Sequence, residues 1–303
     1  TSTEHHAISH TCKWLEKRGF EVTYLPVDAD GLVSLDDFRA AIRPDTTLAS
    51  IIFGNNEIGT IQPIKELAKI AHEHGIIFHT DAVQALAHVP IDVEDLGADM
   101  LSASGHKFHA PKGIGFLYIR KGIKTRSFID GGAQERKRRA GTENVAYIMG
   151  MAKALDIAMN NFNERVAHET KLRDHLIGRV LAEVDHVRLN GHPSKRLGGN
   201  ANFSFEFVEG ESLLLTLEQR GILGSSGSAC ASGSLDPSHV LLAIGLPHEI
   251  AHGSLRLSIG EDTTLEEIDF TVDAIKEVVK QLRVMSPLYE DFLAGKKAIS
   301  AIK

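Results

Sequence analysis

The stretch IIFHTD at residues 76–81 decides the fold, because it is a short apolar strand that runs directly into a carboxylate. The stretch DMLSASGHK at residues 99–107 repeats this order, with a lysine after the strand. Amphipathic helical stretches alternate with such strands along the first half of the chain, which is typical of a parallel sheet covered by helices. The sequence therefore predicts an α/β fold, with a mainly parallel sheet and helices on both faces.

Local signals bound the elements on either side of these strands. Ser34, with Asp37 three residues later, marks a helix start, and this helix is expected to stop near Pro44. Pro63 suits the first turn of another helix, which Gly75 ends. A further helix is predicted at residues 7–17, and strands at residues 20–25, 48–53 and 114–119.

The length of 303 residues corresponds to two domains on a prior of about 150 residues each. A long helical stretch from residue 145 to residue 184 looks like a connector. We place the boundary near residue 163, which gives a large cofactor-binding domain at residues 1–163 and a smaller α+β domain at residues 164–303.

The composition is that of a globular protein, with 43% hydrophobic residues, 24% charged residues and a formal net charge of −7. This balance excludes a disordered chain, a collagen-like rod and a strongly basic nucleic-acid binder. No membrane span or signal peptide is visible, and the two cysteines are too few for a disulfide scaffold. A cytoplasmic protein without a metal centre is expected.

Asp81 and Lys107 follow neighbouring strands, so both are expected on one rim of the sheet, where open α/β sheets bind ligands. A lysine facing an aspartate is the pair that pyridoxal phosphate requires. The lysine bonds covalently to the cofactor, and the aspartate keeps the pyridine nitrogen protonated. Lys112 is the competing amine, but it lies beside Gly113 at the start of the next strand, which favours Lys107.

Two histidine patterns allow a metal site instead. His79 and Asp81 would point to the same face of a strand, as in the facial triad of non-haem iron enzymes. His6 and His10 are four residues apart on a helix and could clasp a metal ion. The alternating α/β pattern argues against an iron site at His79 and Asp81. A chain with 16 histidines is expected to contain pairs such as His6 and His10 by chance.

Cys230 stands in a segment rich in glycine and serine, residues 224–234, which does not suit a packed element. A thiol in such a place is either a nucleophile that visits a substrate or an incidental cysteine in a linker. Cys12, by contrast, is expected in the core, on the apolar face of a helix.

Two basic features suit anions. The segment at residues 131–144 holds four consecutive basic residues, which could bind phosphate or form a solvated face. Arg256 lies in the strand-like segment at residues 254–258, where it could capture a carboxylate or form a structural salt bridge.

Five motifs occur in one order along the chain. They are NNEIG at residues 55–59, HTDAVQ at 79–84, SGHK at 104–107, RAGT at 139–142 and SSGSAC at 225–230. In this combination the sequence resembles the cysteine desulfurases, pyridoxal-phosphate enzymes of fold type I that are class-V aminotransferase-like. The last motif is similar to that of the subgroup with the longer catalytic loop.

The resemblance implies roles for residues in and around these motifs. Lys107 would hold pyridoxal 5'-phosphate, Asp81 would pair with the ring nitrogen and Gln84 would contact the ring hydroxyl. His5 would stack on the ring, and Asn56 would lie close to both ring and substrate.

The resemblance also implies how phosphate, substrate and sulfur are handled. Phosphate would be bound by Ser104, His106 and Thr142, the last from the other subunit of a homodimer. Arg256 would take the substrate carboxylate, and Cys230 would accept sulfur. The implied catalytic residues are Cys230, Lys107, His106 and His5.

The sequence departs from the family at two points. Ala110 stands where the family commonly has glycine, which restricts the backbone there. The chain also begins where the family is already roughly a quarter through, so we expect an N-terminal truncation of the family pattern, with the missing segment cleaved or supplied as another chain.

The resemblance implies an enzyme that converts L-cysteine to L-alanine and passes sulfur, as a persulfide, to iron–sulfur cluster assembly or another transfer pathway. A sulfur acceptor or iron–sulfur scaffold protein would be its partner, with no nucleic acid and no membrane involved. One alternative is a selenocysteine lyase or another pyridoxal-phosphate lyase or aminotransferase. A second, of another class, is a non-catalytic sulfur-relay or partner-binding protein.

Overall fold

The computed structural model describes residues 1–227 and 237–296. Within them the helices, in chain order, are α1 (His6–Glu16), α2 (Leu35–Ala41), α3 (Ile64–Glu73), α4 (Val93–Leu96), α5 (Gln134–Lys137), α6 (Val145–Asn160), α7 (Phe162–Glu183), α8 (Gly210–Glu218), α9 (His239–Ala243), α10 (His248–His252), α11 (Leu265–Val284) and α12 (Pro287–Leu293). The strands are β1 (Leu48–Ile52), β2 (Ile77–Asp81), β3 (Met100–Ser104), β4 (Gly115–Ile119), β5 (Val187–Leu189), β6 (Asn200–Phe205) and β7 (Ser254–Ser258).

The chain forms two compact units. The first comprises Thr1–Ile42, Gly54–Gln62 and Asn163–Lys303, and the second comprises Arg43–Phe53 and Pro63–Phe162. Residues 54–62 cluster with the C-terminal part because Gly59 O accepts a hydrogen bond from Leu197 N at 2.9 Å and Thr60 bridges to Arg196. The contiguous domains 1–163 and 164–303 stay a prediction.

The second unit is built on a four-stranded sheet in the order β1-β2-β3-β4. The first three strands are parallel, and β4 runs antiparallel to β3. Phe78 and Leu101 are buried in neighbouring strands, and Leu67 is buried on α3, which precedes β2. This confirms the α/β class and the mainly parallel sheet.

The first unit is built on an antiparallel sheet in the order β5-β6-β7. Its core joins Phe203 and Phe205 of β6 and Leu255 of β7 to apolar side chains of α7, α8 and α11, such as Leu176 and Val272. Every residue of β6 is buried, so this strand is the centre of the core.

The predicted helix signals are confirmed at three points. Ser34 Oγ accepts a hydrogen bond from Asp37 N at 3.2 Å and so caps α2, which ends at Ala41, before Pro44. Pro63 stands directly before α3, and Gly75, with φ of +70°, follows its end. Side-chain caps and left-handed glycines satisfy helix-end groups that would otherwise lack partners.

Two local expectations are wrong. Residues 20–25 form no strand, although their alternating pattern predicts one. Cys12 is half-buried and α1 has no buried residue, so its apolar face is not a core face among the residues that the structure describes.

The helical stretch predicted at 145–184 is present as two consecutive helices, since α6 ends at Asn160 and α7 begins at Phe162.

Among the helices of residues 1–227 and 237–296, none combines the length and apolar character that a bilayer crossing requires.

The β6 core generates a stability prediction. Phe203 has no exposed surface, so Phe203→Ala leaves a cavity and is expected to lower the free energy of unfolding by about 3–5 kcal/mol. Phe270 on α11 is 56% exposed, and Phe270→Ala is the matched control, with a change of about 0.5 kcal/mol or less. Urea unfolding followed by circular dichroism measures both. Equal losses in the two variants would contradict this account of the core.

Candidate active site

Asp81 and Lys107 lie at the same edge of the parallel sheet. Asp81 is the last residue of β2 and pairs with Ile52 of β1 and Ser102 of β3. β3 ends at Ser104 and continues directly into a 3-10 turn, Gly105–Phe108, that carries Lys107. Because parallel strands end at the same edge, a carboxylate and an amine follow neighbouring strands there.

Asp81 is a buried carboxylate with only 5% of its surface exposed. Its Oδ1 accepts a hydrogen bond from Val83 N at 3.0 Å, which fixes the turn after β2. Gln84 is half-buried in the same turn. A buried carboxylate at the carboxyl end of a parallel strand is the kind of group that pairs with a cationic ligand atom.

The turn that carries Lys107 is sterically defined. Gly105 N donates to Ile114 O at 2.9 Å, and Ala110 N donates to Gly105 O at 3.1 Å. A Cβ at Gly105 would lie 3.0 Å from Ala110 Cβ, so glycine is required for this close packing. Lys107 is half-buried, whereas Lys112 is exposed, which favours Lys107 as the amine of the site.

Ser104 and His106 are brought together beside Lys107. Ser104 Oγ and His106 Nδ1 are 2.8 Å apart and share a hydrogen bond. Partial burial, followed by the positive charges of Lys107 and Lys112, lowers the pKa of His106 below its ordinary value. The imidazole of His106 is therefore neutral at pH 7 and can accept a proton.

These side chains form the donor set that pyridoxal phosphate needs. The cofactor requires an amine for its aldehyde carbon, an anion for its ring nitrogen and hydrogen-bond donors for its phosphate. Lys107, Asp81 and the Ser104–His106 pair supply these three kinds of group at one sheet edge. The residues of the second unit therefore fit the cofactor.

The basic segment of the second unit is largely exposed. Thr142 is exposed, and Gly141 N donates to Gln134 Oε1 at 3.2 Å. Ala140 is buried, which anchors the segment between its basic and its polar parts. Phosphate binding by Thr142 therefore remains a prediction.

The first unit holds the other predicted contact residues. His5 caps α1, because its Nδ1 accepts a hydrogen bond from Ala7 N at 3.2 Å. Arg256 lies in β7 as predicted, and its Nη1 donates to Asn56 O at 3.0 Å. The structure thus brings together Arg256 and Asn56, the two predicted substrate contacts.

The turn around Asn56 is held through its backbone carbonyls. Asn200 Nδ2 and Asn202 Nδ2 donate to Glu57 O at 3.2 and 3.0 Å, and Arg196 donates to Ile58 O at 3.1 Å. Asn55 Oδ1 caps the turn from within by accepting from Glu57 N at 2.8 Å. These bonds hold the backbone of the turn that carries Asn56.

The metal alternatives are not supported. Both ring nitrogens of His79 are engaged, with Ser50 Oγ at 2.7 Å and Ser102 Oγ at 2.8 Å, so this ring is committed to the sheet. The His6 ring contacts those of His10 and His239 at centroid distances of 4.7 and 4.8 Å. Within residues 1–227 and 237–296, no group of acidic, histidine or cysteine side chains has a metal-binding arrangement.

Cys230 lies outside the described residues, so its predicted role stays a prediction. The residue that sequence reasoning missed is Glu57, which stands inside a quoted motif and is buried with 2% exposure. The sequence signal available for Glu57 was an acidic residue between an asparagine and an isoleucine.

Comparisons with known proteins show the family to which the chain belongs. The model of the class-V aminotransferase family matches residues 1–270. A protein of Methanosarcina thermophila called cysteine desulfurase IscS is 59% identical over 288 residues, which cover 95% of this chain and 71% of that protein. A cysteine desulfurase IscS of Clostridium botulinum strain Hall is 55% identical over 299 residues, 98% of this chain and 75% of the relative.

Solved structures similar to this chain include a NifS-like protein and a protein in complex with cysteine. A NifS-like protein superposes with a TM-score of 0.85 at 37% identity, covering 93% of this chain and 74% of the other. The structure described as SspA in complex with cysteine has a TM-score of 0.73 at 36% identity, covering 87% and 73% of the two chains. The chain therefore belongs to the class-V aminotransferase family and, within it, to the pyridoxal-phosphate-dependent cysteine desulfurases.

Proposed function

We propose that this chain removes sulfur from L-cysteine, releases L-alanine and carries the sulfur as a persulfide on Cys230. The observation that carries the proposal is the placement of Asp81 and Lys107 after neighbouring parallel strands. The cysteine desulfurases among its relatives support the choice of substrate.

The second unit supplies the groups for proton transfer. When bound, pyridoxal phosphate supplies an electron sink for bonds at the substrate Cα and Cβ. Asp81 holds a proton on the ring nitrogen through its carboxylate, and the Lys107 amine moves the Cα proton. His106, whose lowered pKa favours the neutral imidazole, would accept or return a proton beside Lys107.

The first unit supplies substrate binding and the sulfur acceptor. Arg256 is oriented by its bond to Asn56 O, and its guanidinium group would bind the substrate carboxylate. The Cys230 thiolate attacks the substrate sulfur: the new S–S bond forms as the Cβ–S bond breaks, and the electron pair stays on Cβ until a proton completes alanine. A thiol with an ordinary pKa of about 8.5 is mostly protonated at pH 7, so a base assists this step.

A second copy of this chain is the proposed partner in a homodimer. α6 is rich in apolar residues, yet none of its side chains is buried, and Val145, Met149 and Ile157 are 62%, 63% and 57% exposed. Exposed apolar surface of this extent is typical of an interface. Thr142, just before α6, would then reach the partner's phosphate site.

The sulfur would pass to an acceptor or iron–sulfur scaffold protein, the role that the name of the IscS relatives suggests. We place the protein in the cytoplasm, because few cysteines suit a reducing compartment. Selenocysteine lyase is the remaining enzymatic alternative, and it would not require Cys230.

The assignment of the amine is testable. Lys107→Ala is expected to abolish the visible absorption of the covalently bound cofactor, because no other half-buried amine lies on the turn after β3. Lys112→Ala is the matched control and should keep that absorption, since Lys112 is exposed. Absorption spectra of both purified variants decide this. Retention of the band by Lys107→Ala and its loss from Lys112→Ala would reverse the assignment.

The sulfur acceptor is also testable. Cys230→Ala is expected to bind cofactor and L-cysteine but not to turn over L-cysteine, because it lacks the thiolate that accepts the substrate sulfur. Cys12→Ser is the control and should keep full activity, because Cys12 is only a half-buried residue of α1. Alanine release is the measurement. Full-rate alanine production by a variant that combines Cys230→Ala with Cys12→Ser would favour the lyase alternative.

The dimer surface gives a third prediction. Met149→Asp combined with Ile157→Asp is expected to yield monomers at micromolar concentration, because both substitutions put charge on the apolar face of α6. Met285→Asp, at a residue that is 64% exposed outside α6, should leave the assembly unchanged. Sedimentation velocity measures the masses. A wild-type chain that is monomeric with cofactor bound would contradict the proposal.

A further inference from the structure

Glu57 is a buried carboxylate that the mechanism above does not use. Its side chain lies in the first unit, in the turn that also carries Asn56, and only 2% of its surface is exposed. The turn itself is held through backbone carbonyls and the Asn55 side chain, so the Glu57 carboxylate is not needed to close it.

The carboxylate is bound by Ser238. Ser238 Oγ donates a short hydrogen bond to Glu57 Oε2 and accepts one from Val240 N at 3.1 Å. Because the Val240 amide occupies an acceptor position of the hydroxyl, the hydroxyl proton is directed to Glu57. Glu57, Ser238 and the start of α9 therefore form one hydrogen-bonded chain.

Gly227 lies against the same oxygen. A Cβ at Gly227 would be 3.2 Å from Glu57 Oε2 and 3.0 Å from Ser238 Cβ, and the backbone φ of Gly227 is +65°. Glycine is the residue that accepts both the left-handed conformation and this close approach. Gly227, directly before the 228–236 segment, and Ser238, two residues after it, therefore both lie beside the Glu57 carboxylate, and Ser238 is hydrogen-bonded to it.

The surroundings of Glu57 disfavour the charged form of its carboxylate. Burial raises the pKa of Glu57, while the Ser238 hydroxyl and the charges of His239, Arg256 and His5 act in the opposite direction without cancelling it. A raised pKa in the folded state means that this group favours folding most at low pH and that its contribution is lost as the pH rises through that pKa.

We propose that Glu57 is a positioning residue for the segment that carries Cys230, because its carboxylate binds Ser238 and lies close to Gly227, the two described residues taken here as the ends of that segment. The inference rests on the proposed role of Cys230 as sulfur acceptor. A reacting group that is misplaced by about 1 Å can lose about 100-fold in rate, so fixed ends favour a productive approach of the thiol.

The test compares holoenzyme variants that remove each side of the bond. Glu57→Ala, Ser238→Ala and their combination are measured for single-turnover persulfide formation on Cys230 and for hydrogen exchange of residues 237–242. Glu206→Gln is the matched control, since Glu206 is equally buried at 4% exposure but bonds to neither end. Ser238→Ala removes the same hydrogen bond while Glu57 stays in place, so it tests the proposal even if Glu57→Ala fails to fold.

Glu57→Ala is expected to slow persulfide formation about 10- to 100-fold and to speed exchange at residues 237–242, with the spectral change on cysteine binding unaltered. The combined variant should lose no more than Glu57→Ala alone, because both substitutions remove one interaction. Glu57→Gln keeps an acceptor for the Ser238 hydroxyl and should restore most of the rate.

Additive losses in the combined variant, or an equal loss in Glu206→Gln, would overturn the proposal, and so would unchanged rate and exchange in Glu57→Ala. Failure of the proposed function has a different signature: the wild-type enzyme would then release alanine without a persulfide on Cys230. In that case the exchange comparison between Glu57→Ala and Glu206→Gln still decides whether Glu57 holds the two ends.

Discussion

The register of three parallel strands is the constraint on which the chemistry depends. Asp81 pairs with Ile52 on one side and Ser102 on the other, so the ends of β1, β2 and β3 fall at one edge. Backbone hydrogen bonds set this register, and apolar side chains such as Phe78 make a slip costly, because a shift of one residue would turn them to the opposite face of the sheet. A carboxylate and an amine are thereby placed at one edge before any ligand binds.

The first unit uses a different device, since its site residues are held by polar contacts over long separations in sequence. Arg256 reaches Asn56 across 200 residues, and Asn202 reaches Glu57 across 145. Each contact satisfies a backbone carbonyl that would be costly to bury alone. The turn of residues 55–59 is therefore held by contacts from distant parts of the chain, although it contains neither helix nor strand.

Sequence patterns predict what local physics controls. The cap at Ser34, the strand at β2 and the lysine turn after β3 follow from residue spacing, and all three are found in the structure. The pairing of Glu57 with Ser238 spans 181 residues and has no local signal, so spacing could not reveal it. Residues 20–25 show the reverse case: their alternation predicts a strand, but a strand forms only where another pairs with it. α6 is a third case. Its apolar composition alone does not tell whether the helix packs in the core or at an interface, and only the fold shows that none of its side chains is buried.

The central claim is that sulfur leaves L-cysteine by transfer to a cysteine of this chain. The most direct measurement is mass spectrometry of the peptide that carries Cys230 after one turnover with isotopically labelled L-cysteine, together with the amount of alanine formed. The account predicts one labelled sulfur atom on Cys230 for each alanine released. Alanine with free labelled sulfide and an unmodified Cys230 would contradict it.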